Sequence, residues 1–185
     1  MNNNKIEEQF LLAIRLHSQW EEVWLPIRSY LNYEVSSQGR VRNLKTKKIM
    51  KQKIDKGYQQ ITLSEKGMQK THQMHRLICS AFRLNPQCKP CVDHIDNNPS
   101  NNSIQNLRWA TNSENQMNKT KQCNNHSGVT GVDWNKASKK WRASVQMDGI
   151  RKHLGYFSSL EKAKKARITA VDKMFGSFAN YQTNK

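Results

Sequence analysis

The chain has 185 residues, of which 31 are Lys or Arg and 14 are Asp or Glu, giving a formal net charge of +17. This length suits one domain or two small ones, and the charge favours a polyanionic partner, because Lys and Arg displace the counterions of phosphates. Solubility or attraction to a membrane surface is the simpler alternative. No apolar run reaches transmembrane length and no signal-peptide pattern is visible, so we expect an intracellular protein, in the cytoplasm or a host nucleus, without a membrane partner.

The first part of the chain is predicted to change from a helix to β-hairpins. Apolar residues at helical spacing predict a short amphipathic helix over residues 5–18, within an N-terminal segment of residues 1–21. Between residues 24 and 63, apolar and polar residues alternate and are interrupted by turns that contain Gly. Residues 22–70 are therefore predicted to form a small β-hairpin module with basic outer faces.

The middle of the chain, residues 71–119, combines predicted helix with a long polar loop. The apolar period switches from 2 to 3.6 at residues 75–82, which predicts a helix there. Residues 83–103 include three Pro and should be loop, and residues 107–119 return to extended or helical structure. A polar linker is predicted at residues 120–127.

The last segment, residues 128–181, is predicted to fold as a three-stranded antiparallel sheet. The dipeptide Asp148-Gly149 is typical of a type I′ hairpin turn, in which both residues have positive φ. The predicted strands cover residues 129–134, 140–145 and 151–157.

A helix follows these strands and is predicted to pack on the sheet. Ser158 or Ser159 can cap its first turn, and Ser158-x-x-Glu161 fits the capping-box pattern. Gly176 is expected to end the helix. Ala residues along the buried side of this helix would allow a close approach to the sheet.

Four cysteines are present, at positions 79, 88, 91 and 123. Cys88-Lys-Pro-Cys91 has the CxxC spacing of many zinc sites, but a structural zinc site needs two further ligands in a matching pair. Cys79 and Cys123 are not so paired. Ordinary reduced loop and core cysteines are the expected alternative to a zinc site.

Candidate chemistry is concentrated in the Asn-rich stretch of residues 92–109. Asp93-His94 is followed after twelve residues by Asn106 and after twenty-one by Asn115. Carboxylate and amide oxygens suit Mg²⁺ or a similar ion, and a His beside that ion could take a proton from water. This is the chemistry of phosphodiester hydrolysis, whereas the alternative is an ordinary solvated loop.

Three segments of the chain resemble known modules. The central one resembles the HNH endonucleases of phage and large-virus homing elements, through His75-Arg76-Leu77, Val92-Asp93-His94-Ile95-Asp96, Asn101-Asn102, Asn106-Leu107-Arg108-Trp109, Glu114-Asn115 and Asn118. The preceding one is similar to the NUMOD-type module, through Trp24-x-Pro26-Ile27, Tyr33-x-Val35-Ser36, Gly39-Arg40-Val41-Arg42 and Gly57-Tyr58. The last resembles the plant ethylene-response-factor (Apetala) DNA-binding domain, through Gly131-Val132-x-Trp134, Lys140-Trp141-Arg142-Ala143, Leu154-Gly155-x-Phe157, Ala163 and Gly176-x-Phe178-Ala179-Asn180.

The resemblance implies an α+β chain with a ββα-metal (His-Me finger) nuclease core at residues 71–119, between the hairpin module and the three-stranded sheet on its helix. The family often has Asp-Gly-Asn after its His, where this chain has Asp96-Asn97-Asn98. Asn tolerates the left-handed conformation better than most residues, so the turn is expected to survive. The implied function is a metal-dependent DNA endonuclease of homing or mobile-element type.

Site roles follow from the same resemblance. Asp93 matches the first metal ligand, and His94 matches the general base that activates water. Asn106 matches the residue that holds the hairpin so that His94 points correctly, and Asn115 matches the second metal ligand. His75 lies where the family often has His-Arg. The metal is expected to be one divalent cation, Mg²⁺ or Mn²⁺, because oxygen ligands do not distinguish these two firmly.

The expected partner is double-stranded DNA, bound by a monomer or a homodimer. The candidate DNA contacts are Arg40, Arg42, Arg76, Trp134, Arg142, Arg151 and Lys152. Alternation along the strand means that Arg142 reaches DNA if Trp141 packs on the helix, and Trp134 and Trp141 could equally be core residues. A DNA-binding transcription regulator with an inactive nuclease core is the alternative function, and an RNA-binding protein is less favoured.

Overall fold

The computed structural model describes residues 3–18, 21–119 and 127–179. Cys123, Asn180 and nearly all of the predicted linker at residues 120–127 lie outside the described residues. The fold is a mixture of helices and small sheets, and none of the described helices is long and apolar enough to cross a bilayer.

The chain divides into two compact units, Met1–Trp109 and Ala110–Lys185. This division differs from the predicted one. Apolar residues of the hairpin module, residues 22–70, and of the predicted nuclease core, residues 71–119, belong to one hydrophobic core in the first unit. The period-2 and period-3.6 segments are each too small to bury their own apolar faces, so they bury them against each other.

The first unit contains helix α1, Asn3–His17, and six strands in two antiparallel sheets. The strands are β1 Trp24–Ile27, β2 Tyr30–Ser36, β3 Val41–Asn43, β4 Lys53–Asp55, β5 Tyr58–Glu65 and β6 Met68–Gln73. One sheet has the order β1-β2-β3 and the other has the order β4-β5-β6. The hairpins predicted between residues 24 and 63 are therefore confirmed.

Helix α2, Met74–Phe82, supplies the centre of the first core. Its apolar side chains pack against residues from both sheets, and each fully buried aliphatic or aromatic side chain contributes about 1.5–3 kcal/mol relative to exposure. The fully buried members of this core include Val35, Val41, Ile61, Leu63, Met74, Ile78, Phe82, Ile104 and Leu107.

Two short strands frame the Asn-rich loop. Strand β7, Cys91–His94, pairs with β8, Leu107–Ala110, and a 3₁₀ turn at Ile104–Asn106 leads into β8. Ile104 and Leu107 are fully buried in the first core. The polar loop is therefore tied to the core near its end, and β7 and β8 hold its two ends side by side.

The second unit contains helix α3, a three-stranded sheet and helix α4. Its elements are α3 Asn112–Asn118, β9 Val132–Asn135, β10 Lys140–Met147, β11 Ile150–Phe157 and α4 Leu160–Phe175, followed by a 3₁₀ turn at Gly176–Phe178. The sheet is antiparallel with the order β11-β10-β9, and α4 packs on it. Asp148 and Gly149 both have positive φ, of 49° and 81°, as the predicted hairpin turn requires.

Two details at α4 differ from the prediction. The N-cap is Ser159, whose side chain accepts a hydrogen bond from the Lys162 backbone N–H, so the capping box predicted for Ser158 and Glu161 is wrong. The helix begins at Leu160, so the residue three positions after its N-cap is Lys162 and not Glu161. The buried side of α4 also includes Arg167, which is only 4% exposed and donates to the Thr130 carbonyl.

Candidate active site

Asp93 and His94 lie at the end of β7 and are buried, with 3% and 8% of their surface exposed. The Asp93 carboxylate accepts a hydrogen bond of 2.7 Å from Nε of Arg108, which lies on β8. The β7–β8 pair therefore brings a carboxylate and a guanidinium together in a buried setting. Sequence reasoning did not find this role of Arg108, because a partner on the paired strand is not marked by local spacing.

The His94 ring is held by a second buried side chain. Its Nε2 lies 3.1 Å from Oδ1 of Asn102, a residue that is only 3% exposed. Asn102 in turn donates from Nδ2 to Oε1 of Gln59 on β5, at 2.9 Å. The sequence reading gave no site role to Asn102 or Gln59, although Asn102 belongs to the motif that carries the family resemblance.

His75, the second residue of α2, contributes a third ring to the site. Its ring centroid lies 5.1 Å from that of His94 and 5.4 Å from that of Tyr58. Burial, and to a smaller extent the neighbouring His94 and Arg76, lower the pKa of His75 to about 4. Nδ1 of His75 has no hydrogen-bond partner among the residues that the structure describes. The ring is therefore neutral at physiological pH.

Asn106 organises the loop between β7 and β8. Its Nδ2 donates to Oδ1 of Asp96 and to the Asn101 carbonyl, both at 2.8 Å, and its Oδ1 accepts from the Asp96 backbone N–H at 3.0 Å. Burial opposes ionisation of Asp96, but hydrogen bonds from Asn101, Asn98 and Asn106 lower its pKa below the ordinary value.

The turn after His94 is formed by Asn97, which adopts a φ of 60°. The left-handed conformation expected for an Asn at this position is thus confirmed.

Asn115 lies in the middle of α3 in the second unit. Helix α3 begins with a capping box in which Thr111 and Glu114 exchange side-chain and backbone hydrogen bonds. The sequence placed Asn115 on a helix, which is confirmed. Its role as a metal ligand beside Asp93 stays a prediction.

The protein side chains at this site could bind a hard divalent cation only if water and substrate oxygens supplied most of the ligands. Among the described residues, no group of three or more His, Cys, Asp or Glu side chains could hold a metal ion. Asp93 supplies one buried carboxylate, which is already partly neutralised by Arg108. Mg²⁺ commonly uses one or two protein carboxylates, several waters and substrate phosphate oxygens, and a single carboxylate suits that arrangement. Cys88 and Cys91 likewise belong to no such group within the described part of the chain.

Arg40 and Arg42, two of the predicted DNA contacts, form ion pairs within the first unit. Arg40 bonds to Glu22, and Arg42 donates from Nε to Glu34 at 2.7 Å. The guanidinium carbon of Arg42 also lies 4.0 Å from the centre of the Trp24 ring. These two cations are therefore pre-oriented, but each would have to exchange a carboxylate for a phosphate in order to bind DNA. Arg76 is exposed and donates to the Pro90 carbonyl.

The sheet of the second unit has one face toward α4 and one face away from it. Trp141 packs in the cluster on the helix side, and Arg142, the next residue, points to the other face. Arg142 forms an ion pair with Asp133 at 2.9 Å. Trp134 lies edge-on to Trp141 and is 46% exposed, so it is only partly a core residue.

The other two predicted DNA contacts of this unit, Arg151 and Lys152, are exposed on β11.

Two segments of the chain match known family models. Residues 22–64 match the model of the NUMOD4 motif, and residues 72–117 match that of the HNH endonuclease family. DNA endonuclease I-HmuI of Bacillus phage SP01 is 42% identical over 99 residues, which are 51% of this chain and 57% of that protein. The uncharacterized HNH endonuclease L245 of Acanthamoeba polyphaga mimivirus is 38% identical over 94 residues, covering 50% of this chain and 28% of that protein.

The chain spans 28% and 57% of the lengths of these two relatives, which is less than two thirds of either. A solved structure that describes DNA binding and cleavage by the HNH homing endonuclease I-HmuI is 32% identical, with 83% of this chain and 91% of that chain covered and a TM-score of 0.49. The similarity of residues 72–117 to HNH endonucleases rests on the sequence matches and not on this superposition.

Proposed function

Residues 72–117 of the chain are an HNH endonuclease domain, and from this premise we propose that the protein is a metal-dependent DNA endonuclease of homing or mobile-element type. The observation that carries the proposal is the buried pair of Asp93 and His94 at the end of β7, with each side chain held by its own partner, Arg108 or Asn102. Buried ionisable groups that are held in one orientation are typical of catalytic sites.

His94 is proposed as the general base. In this role it takes a proton from a water molecule as that water attacks a phosphodiester phosphorus, and the neutral His75 beside it adds no competing positive charge. Asn106 is proposed as a positioning residue, because its three hydrogen bonds support the loop that follows His94.

Asp93 is proposed to hold the divalent cation, Mg²⁺ or Mn²⁺, and Asn115 is proposed as the second ligand on the sequence pattern alone. When bound, such an ion neutralises charge at the scissile phosphate and at the leaving oxygen. Arg108 holds the Asp93 carboxylate in one orientation through its 2.7 Å hydrogen bond.

DNA binding is proposed to involve both units. In the second unit, the sheet face that carries Arg142 is proposed to lie against DNA, as the sequence resemblance of this segment to ethylene-response-factor domains implies, and the major groove is wide enough to admit β-structure. Arg151, Lys152 and the partly exposed Trp134 are proposed as further DNA contacts of this unit. Arg151 pairs with Gln146 and shares the face of Arg142, whereas Trp134 and Lys152 pair with Trp141 and Val145 and would have to reach DNA from the strands at the two edges of the sheet.

In the first unit, Arg40, Arg42 and Arg76 are proposed to contact phosphates. One catalytic site per chain implies that a monomer would nick one strand and that a homodimer would be needed to cut both.

The direct test is nicking of supercoiled plasmid DNA with and without Mg²⁺. His94→Ala should abolish nicking and leave DNA affinity unchanged, because the base contributes to chemistry rather than to binding. His17→Ala is the matched control, since His17 is exposed on α1 and bonds only to Glu21 among the described contacts. Mg²⁺-dependent nicking by His94→Ala at the wild-type rate would refute the assignment of the base. A wild-type chain that binds DNA and never cuts it would refute the proposed activity.

A further inference from the structure

We propose that the NUMOD4 segment is part of the active site, because Gln59, acting through Asn102, fixes His94 as the tautomer that carries its proton on Nε2. The lone pair is then on Nδ1, which becomes the nitrogen that acts as the base. This inference rests on the proposed role of His94. It assigns Gln59 and Asn102 as positioning residues, since neither would touch the reacting atoms.

The donors and acceptors in the hydrogen-bonded series from Ser100 to His94 can be assigned by starting at Ser100. Nε2 of Gln59 lies 3.5 Å from the backbone carbonyl of Ser100, and a carbonyl oxygen can only accept. Oε1 of Gln59 therefore faces Asn102 and accepts from its Nδ2.

Oδ1 of Asn102 is then the atom that faces His94, so Nε2 of His94 must donate. Reversing both amides would place Oε1 of Gln59 against the Ser100 carbonyl, which brings two acceptors together without a proton. The long first bond at Ser100 is weak by itself. The two shorter contacts, at 2.9 and 3.1 Å, have hydrogen-bond lengths in either direction, so the direction is set by the Ser100 carbonyl.

The tautomer matters because a neutral imidazole has only one lone pair. If Nε2 and Nδ1 shared the proton evenly, half of the molecules would present N–H to the attacking water instead of a base. An even mixture by itself would only halve the active fraction, but loss of these partners also frees the ring to rotate. Hydrogen-bond partners that fix both the tautomer and the orientation of a metal-bound His typically change activity by about 10- to 100-fold, and we expect that range here from the two effects together.

The first module also holds Asn102 in place. A Cβ on Gly39, which has a φ of +92°, would lie 3.0 Å from Cβ of Asn102, and the Ile104 N–H donates to the Ser37 carbonyl at 2.8 Å. Tyr58, the neighbour of Gln59 on β5, places its ring 6.3 Å from that of His94. The β-hairpins thus contact the catalytic loop from two sides.

The experiment compares four variants of the full chain with the wild type. Asn102→Leu removes the acceptor, and Asn102→Asp keeps an acceptor for the Nε2 proton in nearly the same shape. Gln59→Leu removes the orienting group on β5. Gln60→Leu is the matched control, because Gln60 is adjacent on the same strand and bonds to Asp55, away from His94.

Three readouts separate positioning from folding and from the proposed function. Long-range ¹H–¹⁵N spectra of metal-free protein report the tautomer of His94 without any cleavage, and circular dichroism reports the fold. The plasmid-nicking rate is measured on the same samples with Mg²⁺ and with saturating DNA.

We expect the Nε2–H tautomer in the wild type, in Asn102→Asp and in Gln60→Leu, and a mixture of tautomers in Gln59→Leu and Asn102→Leu. Nicking should fall about 10- to 100-fold in the two variants with mixed tautomers, and Asn102→Asp should cut faster than Asn102→Leu.

A wild-type His94 that is protonated mainly on Nδ1 would overturn the proposal. Equal effects of Gln59→Leu and Gln60→Leu would overturn it too, and so would a folded Gln59→Leu with an unchanged tautomer. If the wild type never cuts, the proposed function fails, while the spectra still decide the tautomer.

Discussion

The neutral state of His75 makes the stability of the first unit depend on pH. An unfolded chain binds a proton on this His near pH 6.5, but in the folded chain burial lowers the pKa of His75 to about 4. Between these values the unfolded state binds more protons, so stability falls as pH falls. From the two pKa values, the free energy of unfolding should decrease by about 2 kcal/mol between pH 7.5 and pH 5.0 through this residue alone.

His75→Phe should remove this contribution, because Phe keeps a ring against His94 and Tyr58 and has no proton to bind. The assay is urea denaturation of both proteins at pH 7.5 and pH 5.0, in the presence of a chelator. Other groups also titrate in this range, so the measured quantity is the difference between the two pH dependences.

Ile78→Val is the control for that comparison. This substitution removes one buried methyl group from the same helix and should lower the free energy of unfolding by about 0.5–1.5 kcal/mol. The pH dependence of the stability should stay that of the wild type. If His75→Phe loses as much stability on acidification as the wild type does, the reasoning about the buried ring is refuted.

Three further outcomes are expected. Arg108→Gln should lower the free energy of unfolding by about 3 kcal/mol in urea denaturation, because it removes the ion-pair partner of the buried Asp93; a loss below about 1 kcal/mol would contradict this. Arg142→Ala should weaken double-stranded DNA binding by about 1–3 kcal/mol in gel-shift titrations, and unchanged affinity and sequence preference would place this residue outside the interface. Iodoacetamide followed by peptide mass spectrometry should label the exposed Cys88 and spare Cys79 in the folded chain, because burial raises the pKa of the Cys79 thiol to about 12; equal labelling of the two would show that α2 opens.

The elements that the sequence predicts best are those specified by neighbouring residues. The Asp148-Gly149 turn, the hairpins of the first module and the left-handed Asn97 all depend on local backbone preferences, and the structure contains them. The sequence did not decide whether Ser158 or Ser159 is the N-cap of α4, because both fit a cap and only packing decides between them.

Contacts between distant segments could not be predicted. Asn102 and Gln59 are 43 positions apart, and nothing in either local pattern marks the other as its partner. The buried Arg167 was missed for a similar reason, because its acceptor at Thr130 belongs to a different segment. A single sequence contains no signal for such distant pairs, whereas the Asp93-His94 motif is local and was found.

The common core of the first unit has a consequence for chimeric nucleases. If the HNH segment of one protein were joined to the hairpin module of another, side chains from two different proteins would have to pack in the core that Ile61 and Leu63 share with Ile78 and Phe82. A transplanted nuclease segment therefore has to include the hairpin module together with the HNH segment, at least residues 22–117. Recombination between mobile elements that moved only the nuclease motif would yield chains that misfold before they could be tested for cutting.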